Sequence, residues 1–276
     1  MGTNGHANGN GNGQAPGANL AFTKFLFVLN RLDDDAAGTR LRTVGGLIGR
    51  GFFNDFDSDG TRDPQPFETI QFMVRTGEPA DAVGDAARVV AGARYVAQVS
   101  SKYRPRLQEV EEELRRRLGD TAEVLAIDGA VRAPRYSSAE MQHHISRSAP
   151  PRRSGRVSAH AFIMPVRKSR EWWALPPLER QTYFYPHVNR ASGCPVKGHA
   201  MAADEGIPFL HRRIFHNPDG YERRGEYDFV TYFECEDAGV PVFDRICEAV
   251  RDPAQNPEWA FVEEGPLWRG TRVLRW

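Results

Sequence analysis

Apolar and polar positions recur along this chain with two periods, and the switches between them predict its elements. Phe22-Thr-Lys-Phe-Leu-Phe-Val-Leu29 is aromatic and β-branched, a composition that suits a pleated strand. Glu68 to Arg75 alternates and predicts a second strand. Ala82 to Val99 is alanine-rich with helical spacing and predicts a helix. From Arg106 to Leu118, Leu107, Val110, Leu114 and Leu118 recur every three or four positions, the stripe of an amphipathic helix. Ala122 to Ile127 predicts a further strand.

Residues 129–156 are rich in Pro, Ser, Arg and Gly and read as a linker. A second block follows with similar content. Val157 to Val166 predicts a strand. Ser169 to Tyr185 predicts a helical region punctuated by Pro176-Pro177. Tyr227 to Glu234 alternates, with Tyr227, Phe229, Thr231 and Phe233 on one face. Phe243, Ile246, Cys247 and Val250 form one helical stripe, and Trp259–Val262 and Thr271–Leu274 predict short closing strands. Strands and helices are mixed in both blocks, so the expected class is α+β. The expected domains are a disordered tail over 1–20, an N-terminal domain over 21–130, a linker over 131–156 and a C-terminal domain over 157–276. The tail is Gly, Asn and Ala, too poor in large apolar side chains to offset its ordering entropy.

Charge and cysteine content narrow the function. Lys plus Arg and Asp plus Glu both number 36, so bulk electrostatics argue against a nucleic-acid or acidic-membrane partner. The three cysteines, Cys194, Cys235 and Cys247, are odd in number and widely spaced, which fits a reducing compartment better than a disulfide framework. With no secretory leader and no membrane-length apolar run, the expectation is a cytoplasmic protein.

The stretch Phe162–Thr271 concentrates the chemistry. It holds Met164-Pro-Val-Arg-Lys168-Ser-Arg-Glu-Trp172-Trp173, then His199, then Phe209-Leu-His-Arg212-Arg-Ile-Phe-His216, then Tyr227-Asp-Phe-Val-Thr-Tyr-Phe-Glu234 and Gly265-Pro266. Adjacent tryptophans offer flat apolar surface and indole N–H donors for the edge of a macrocycle. Lysine and arginine can neutralise propionates, and a histidine can ligate iron. Taken singly, a Trp-Trp pair is equally a core feature and a histidine equally a surface one.

Together these segments resemble the chlorite dismutase family, which also contains the coproheme decarboxylases. The match is carried by Lys168-Ser-Arg-Glu-Trp172-Trp173, Tyr227–Glu234 and Gly265-Pro266. The resemblance implies two ferredoxin-like domains per chain, of the dimeric α+β barrel type. It also implies haem b iron in the C-terminal domain, a homo-oligomer (pentamer or dimer) and a small oxyanion or other small-molecule substrate. Two histidines compete as the ligand. His199 stands 13 residues before Arg212, the family's spacing from proximal histidine to distal residue, whereas His187 stands 15 after Trp172, its spacing from the tryptophan. His199 is preferred, because the run into Arg212 then needs no gap. Arg212 falls on the distal position, where chlorite dismutases carry arginine and coproheme decarboxylases an uncharged residue. Met164 stands where a decarboxylase tyrosine is expected, and a thioether relays no proton. Glu258 is the expected carboxylate partner of the proximal imidazole, and Lys168, Trp172 and Trp173 the expected holders of the haem edge.

The reading that follows is a haem oxidoreductase decomposing chlorite to chloride and dioxygen. The alternatives are a related haem enzyme or peroxidase of specialised metabolism acting on an organic or nitrogenous substrate, and a non-catalytic haem-binding protein. Two departures bear on the choice: about twelve extra residues before His199, and the long Asn217–Arg224 turn where the family has a short one. Separately, Asp55-Phe-Asp57-Ser-Asp59-Gly60-Thr-Arg-Asp63 has the first half of a calcium loop, but Pro66 stands where its bidentate glutamate belongs. Calcium binding there is expected to be weak, and an acidic turn is the plainer reading. His143-His144 lacks companion ligands.

Overall fold

The computed structural model describes residues 22–31, 36–48, 68–131, 160–189, 192–223 and 225–275. The expected tail, the linker, the acidic Asp55–Asp63 loop and His143-His144 lie outside them.

The first half runs β1 (Phe22–Asn30), α1 (Ala36–Ile48), β2 (Glu68–Arg75), α2 (Asp85–Gly92), β3 (Tyr95–Ser101), α3 (Arg104–Leu118) and β4 (Ala122–Ala130). The second runs β5 (His160–Lys168), α4 (Arg170–Ala174), α5 (Pro177–Thr182), a hairpin of β6 (His187–Val188) and β7 (Pro195–Val196), and α6 (Gly198–Ala202). It continues with β8 (His211–His216), β9 (Phe229–Cys235), α7 (Val240–Arg251), β10 (Val262–Glu264) and β11 (Trp268–Arg275). Strands of the first half lie in the order β2-β3-β1-β4, and those of the second in the order β11-β5-β9-β8. β11 pairs with β2 and β4 with β8, so the two sheets close into one antiparallel barrel. The β4–β8 seam is narrow, a single Ala130–His216 pairing.

Side chains alternate across a strand, so a closed barrel sorts them into an inside and an outside. Phe25, Phe27, Met73, Val96, Ile163, Phe215, Tyr232 and Trp268 come from strands around the ring and meet inside. At one end the interior is polar. The Tyr232 hydroxyl donates to Glu234 at 2.6 Å, Gln71 donates to that hydroxyl at 3.0 Å, and Arg272 pairs with Glu234. Outside the first half, Leu26 and Val28 pack beneath Leu41 of α1 and Leu107, Val110 and Leu114 of α3. Outside the second half, Phe162 and Phe233 pack beneath Phe243 and Ile246 of α7. That outer face also carries Met164, Val166 and Lys168 of β5 and Arg212 of β8, which positions the site.

The single helix expected over Ala82–Val99 is instead α2 followed by β3. β3 is buried along its whole length, between the barrel interior and α3, and a strand covered on both faces loses its period-two signal. The strand expected at Trp259–Val262 is a 3-10 turn, Pro257–Phe261, running into the three-residue β10.

Gly270 sits where β11 passes between β2 and β5, opposite Arg75 and Ala161. A Cβ there would overlap the Trp268 ring and the Val74 carbonyl. Gly270→Ala is expected to destabilise the fold by about 1–3 kcal/mol, the usual cost of overpacking. A lowered denaturant midpoint checks this, and an unchanged one contradicts the close approach.

Candidate haem site

Four short-range devices bring the site residues together. Lys168 ends β5, and the next residue, Ser169, caps α4 by accepting from the Trp172 backbone N–H at 3.4 Å. Both tryptophans therefore follow the strand without slack. His199 rides on α6, which opens at Gly198 in the left-handed region (φ 72°). A Cβ on Gly198 would come within 2.5 Å of the Tyr185 carbonyl oxygen, so only glycine fits this crossing. The chain is pinned on both sides there, Gly198 N–H donating to Gln255 and His199 N–H to the Tyr183 carbonyl at 3.2 and 3.0 Å. Glu258 starts the Pro257–Phe261 turn, tied to the end of α7 through Asn256, whose side-chain amide donates to the Val250 carbonyl at 2.8 Å.

These devices place one carboxylate between a lysine and a histidine. Lys168 Nζ lies 2.5 Å from Glu258 Oε1, and His199 Nδ1 lies 3.1 Å from Glu258 Oε2. The second contact is close but bent off the N–H direction, leaving both buried atoms without a well-directed hydrogen bond. On the far side of the imidazole, Nε2 faces Arg212 Nη2 at 3.5 Å. Glu258 is 3% exposed and Lys168 8%. Arg212 is exposed to solvent.

Burial alone would raise the Glu258 carboxyl, but the Lys168 ammonium and His199 outweigh it and hold the group down at about 2. Burial lowers Lys168 below its ordinary value, with Glu258 and Asp228 opposing the shift. The Arg212 guanidinium starts so high that it stays charged.

Lys168, His199, Arg212 and Glu258 thus converge, although each comes from a different element. His187 does not join them. It spends Nδ1 on the Tyr185 carbonyl at 2.8 Å, at the start of the β6–β7 hairpin.

The tryptophans behave differently from the flat wall expected of them. Trp172 is 1% exposed, packed against Tyr183 and Phe261, with the Lys168 ammonium 4.4 Å from its ring centre. Trp173 stacks on Tyr221 at 4.3 Å and 10°, and its indole N–H donates to Asp228 at 3.2 Å. In this structure Asp228 takes the Trp173 N–H and Glu258 pairs with the Lys168 ammonium. Sequence reasoning missed the roles of Gly198, Asp228 and Tyr221. Asp228 stood in plain view as the acidic residue before Phe229, but an acid at the start of a strand ordinarily faces water.

The donor chemistry fits a haem iron: the imidazole has one nitrogen against a buried carboxylate, as a proximal ligand has, while the other faces Arg212. Among the described residues no group of three or more His, Cys, Asp or Glu is arranged to hold a bare metal ion.

The family model for chlorite dismutase matches residues 74–196. No curated protein sequence matches the chain. Among solved structures, a variant of chlorite dismutase from Candidatus Nitrospira defluvii in complex with cyanide superposes with a TM-score of 0.64. It is 18% identical over 92% of this chain and 91% of that one. The same organism's chlorite dismutase in complex with imidazole gives a TM-score of 0.63 at 18% identity, over 93% and 92% of the two chains. At such identities the structural likeness speaks for the fold.

Glu258 also gives the site a pH signature. A carboxyl held near 2 when folded and near 4.5 when unfolded contributes stability above pH 4.5, which is lost as pH falls from 4.5 towards 2. Unfolding titrations are expected to show stability dropping across that window, with a shallower slope in Glu258→Gln. Equal slopes in the two proteins would show that Glu258 is not the group responsible.

Proposed function

We propose that this chain, whose residues 74–196 match the family model for chlorite dismutase, is a member of that family and a haem b oxidoreductase that decomposes chlorite to chloride and dioxygen, with His199 as iron ligand and Arg212 as the distal group. One observation carries the reading: the Lys168–Glu258–His199 chain ends in an Nε2 that points at Arg212. When bound, haem supplies the redox chemistry for breaking a chlorine–oxygen bond.

The protein's own residues do the rest. Glu258, kept ionised by Lys168, faces His199 Nδ1 at 3.1 Å and favours the tautomer protonated there, which leaves the Nε2 lone pair for iron. The 3.5 Å gap between His199 and Arg212 is too narrow for a macrocycle, so binding requires the long Arg212 side chain to swing off Nε2. Its planar, permanently charged fork then donates to an anionic substrate and steadies negative charge on the departing oxyanion. Met164, buried on the same sheet face, offers no proton and no phenolic hydrogen, which supports chlorite chemistry over decarboxylation.

The fold reading goes further in the same direction. With α2 set aside in the first half, and the β6–β7 hairpin and β10 in the second, each half has four main strands with its first strand between the third and fourth, as two ferredoxin-like units would. Self-association into a pentamer or dimer and a cytoplasmic location complete the proposal. Among the described residues no helix is long and apolar enough to cross a membrane. A second reading, a related haem enzyme acting on an organic or nitrogenous substrate, is favoured by one feature, the Asn217–Arg223 loop that lays Tyr221 on Trp173.

Reconstituted protein is expected to show a Soret band and to release dioxygen from chlorite at an oxygen electrode. Bleaching without dioxygen would select the second reading, and a protein that takes up no porphyrin would end both. Arg212→Ala is expected to keep haem and lose turnover by roughly the hundredfold or more typical of removing a charge-stabilising donor. His199→Ala is expected to weaken haem binding, and the same loss in His187→Ala alone would reassign the ligand.

A further inference from the structure

Asp228 is 1% exposed and accepts three N–H donors from three segments. Oδ2 takes the Lys168 backbone N–H at 2.8 Å and the Trp173 indole N–H at 3.2 Å, while Oδ1 takes the Glu222 backbone N–H at 2.9 Å. One carboxylate therefore joins the end of β5, helix α4 and the loop after β8. A buried carboxylate in this position is strongly directional, and without it the buried Lys168 backbone N–H would be stranded out of water.

The loop is itself held. Glu222 is the non-glycine residue with positive φ (61°) among those described, a conformation that persists only when its surroundings over-determine it. Tyr221 stacks on Trp173, and its hydroxyl lies 2.9 Å from His216 Nδ1. Asn217 donates from its side chain to Glu226 at 2.9 Å and accepts the Asp219 N–H at 3.0 Å. Asp219 then reaches across to the other half of the chain. Arg104, at the start of α3, grips it bidentately at 2.8 and 2.7 Å.

We propose that Asp228 is a positioning residue for the Lys168–Glu258–His199 chain, and that the Arg104–Asp219 pair makes its hold depend on the N-terminal half. The line of contact is continuous: Arg104, Asp219, the loop, Asp228, the Lys168 backbone, the Lys168 ammonium, Glu258 and His199. The part that concerns iron rests on the haem reading. The coupling from Arg104 to Trp173 stands on contacts within the protein and can be tested without haem. This assigns the Asn217–Arg223 loop a mechanical role, a strap across the α4 wall.

The test uses the full chain labelled with nitrogen-15, without haem. The probes are hydrogen exchange at the Trp173 indole N–H and the chemical shift of His199 Nδ1. The Arg104–Asp219 pair is half-exposed, so breaking it leaves the fold intact. Arg104→Gln and Asp219→Asn are each expected to speed indole exchange by up to about fivefold, the limit for an exposed ion pair, with no further gain in the double variant. Asp228→Asn is expected to shift the His199 Nδ1 signal as well, while Asp228→Glu restores part of it. Exchange rates unchanged by Arg104→Gln, or rates that add in the double variant, would overturn the coupling. A His199 signal unmoved in folded Asp228→Asn protein would overturn the positioning role. Absence of a Soret band in the wild type would sink the haem reading alone, because neither probe needs haem.

Discussion

Everything at this site depends on a carboxylate buried where water cannot help it. Glu258, 3% exposed, would be costly to ionise by itself, and Lys168 would be equally costly. Each makes the other tolerable, and the charge between them gives His199 a fixed orientation. The geometry then runs outward from one ion pair. The imidazole is aimed by Glu258, and the carboxylate is aimed by the Pro257 turn. The lysine is aimed by the Asp228 bond to its backbone.

The barrel explains how such distant residues can be held this tightly. Lys168 and Glu258 are 90 positions apart, and the strands carrying the site are braced from within by Phe25, Phe215 and Tyr232. Closure removes free sheet edges and leaves one outer face of the second half for chemistry, with α7 covering the rest. The polar end of the interior, where Gln71 and Tyr232 meet Glu234 and Arg272, ties β2 of one half to β9 and β11 of the other.

Much of this was legible from the chain. α3 and α7 declared themselves through a helical stripe with one wet face and one dry one, and β1, β2 and β9 through aromatic, β-branched or alternating runs although they are largely buried on both faces. β3, also buried throughout, merged in the sequence with the alanine-rich run before it. His199, Arg212 and Glu258, singled out through the resemblance, lie next to one another in the fold. The surroundings of the tryptophans were not legible. Composition says that indoles are large and flat, but only the fold shows Trp172 roofed by Lys168 and Trp173 spent on Asp228. Gly198 was invisible for a related reason: its importance lies in a crossing with Tyr185 thirteen residues earlier, and no local pattern records that.

The central claim is that a carboxylate-oriented imidazole from His199 holds iron. Resonance Raman spectroscopy of the ferrous, haem-loaded protein tests it most directly, because the iron–histidine stretching frequency rises with the basicity of the ligand. The account predicts a histidine-sensitive band at high frequency in the wild type that drops in Glu258→Gln and disappears in His199→Ala. A band that survives the loss of His199 would contradict it.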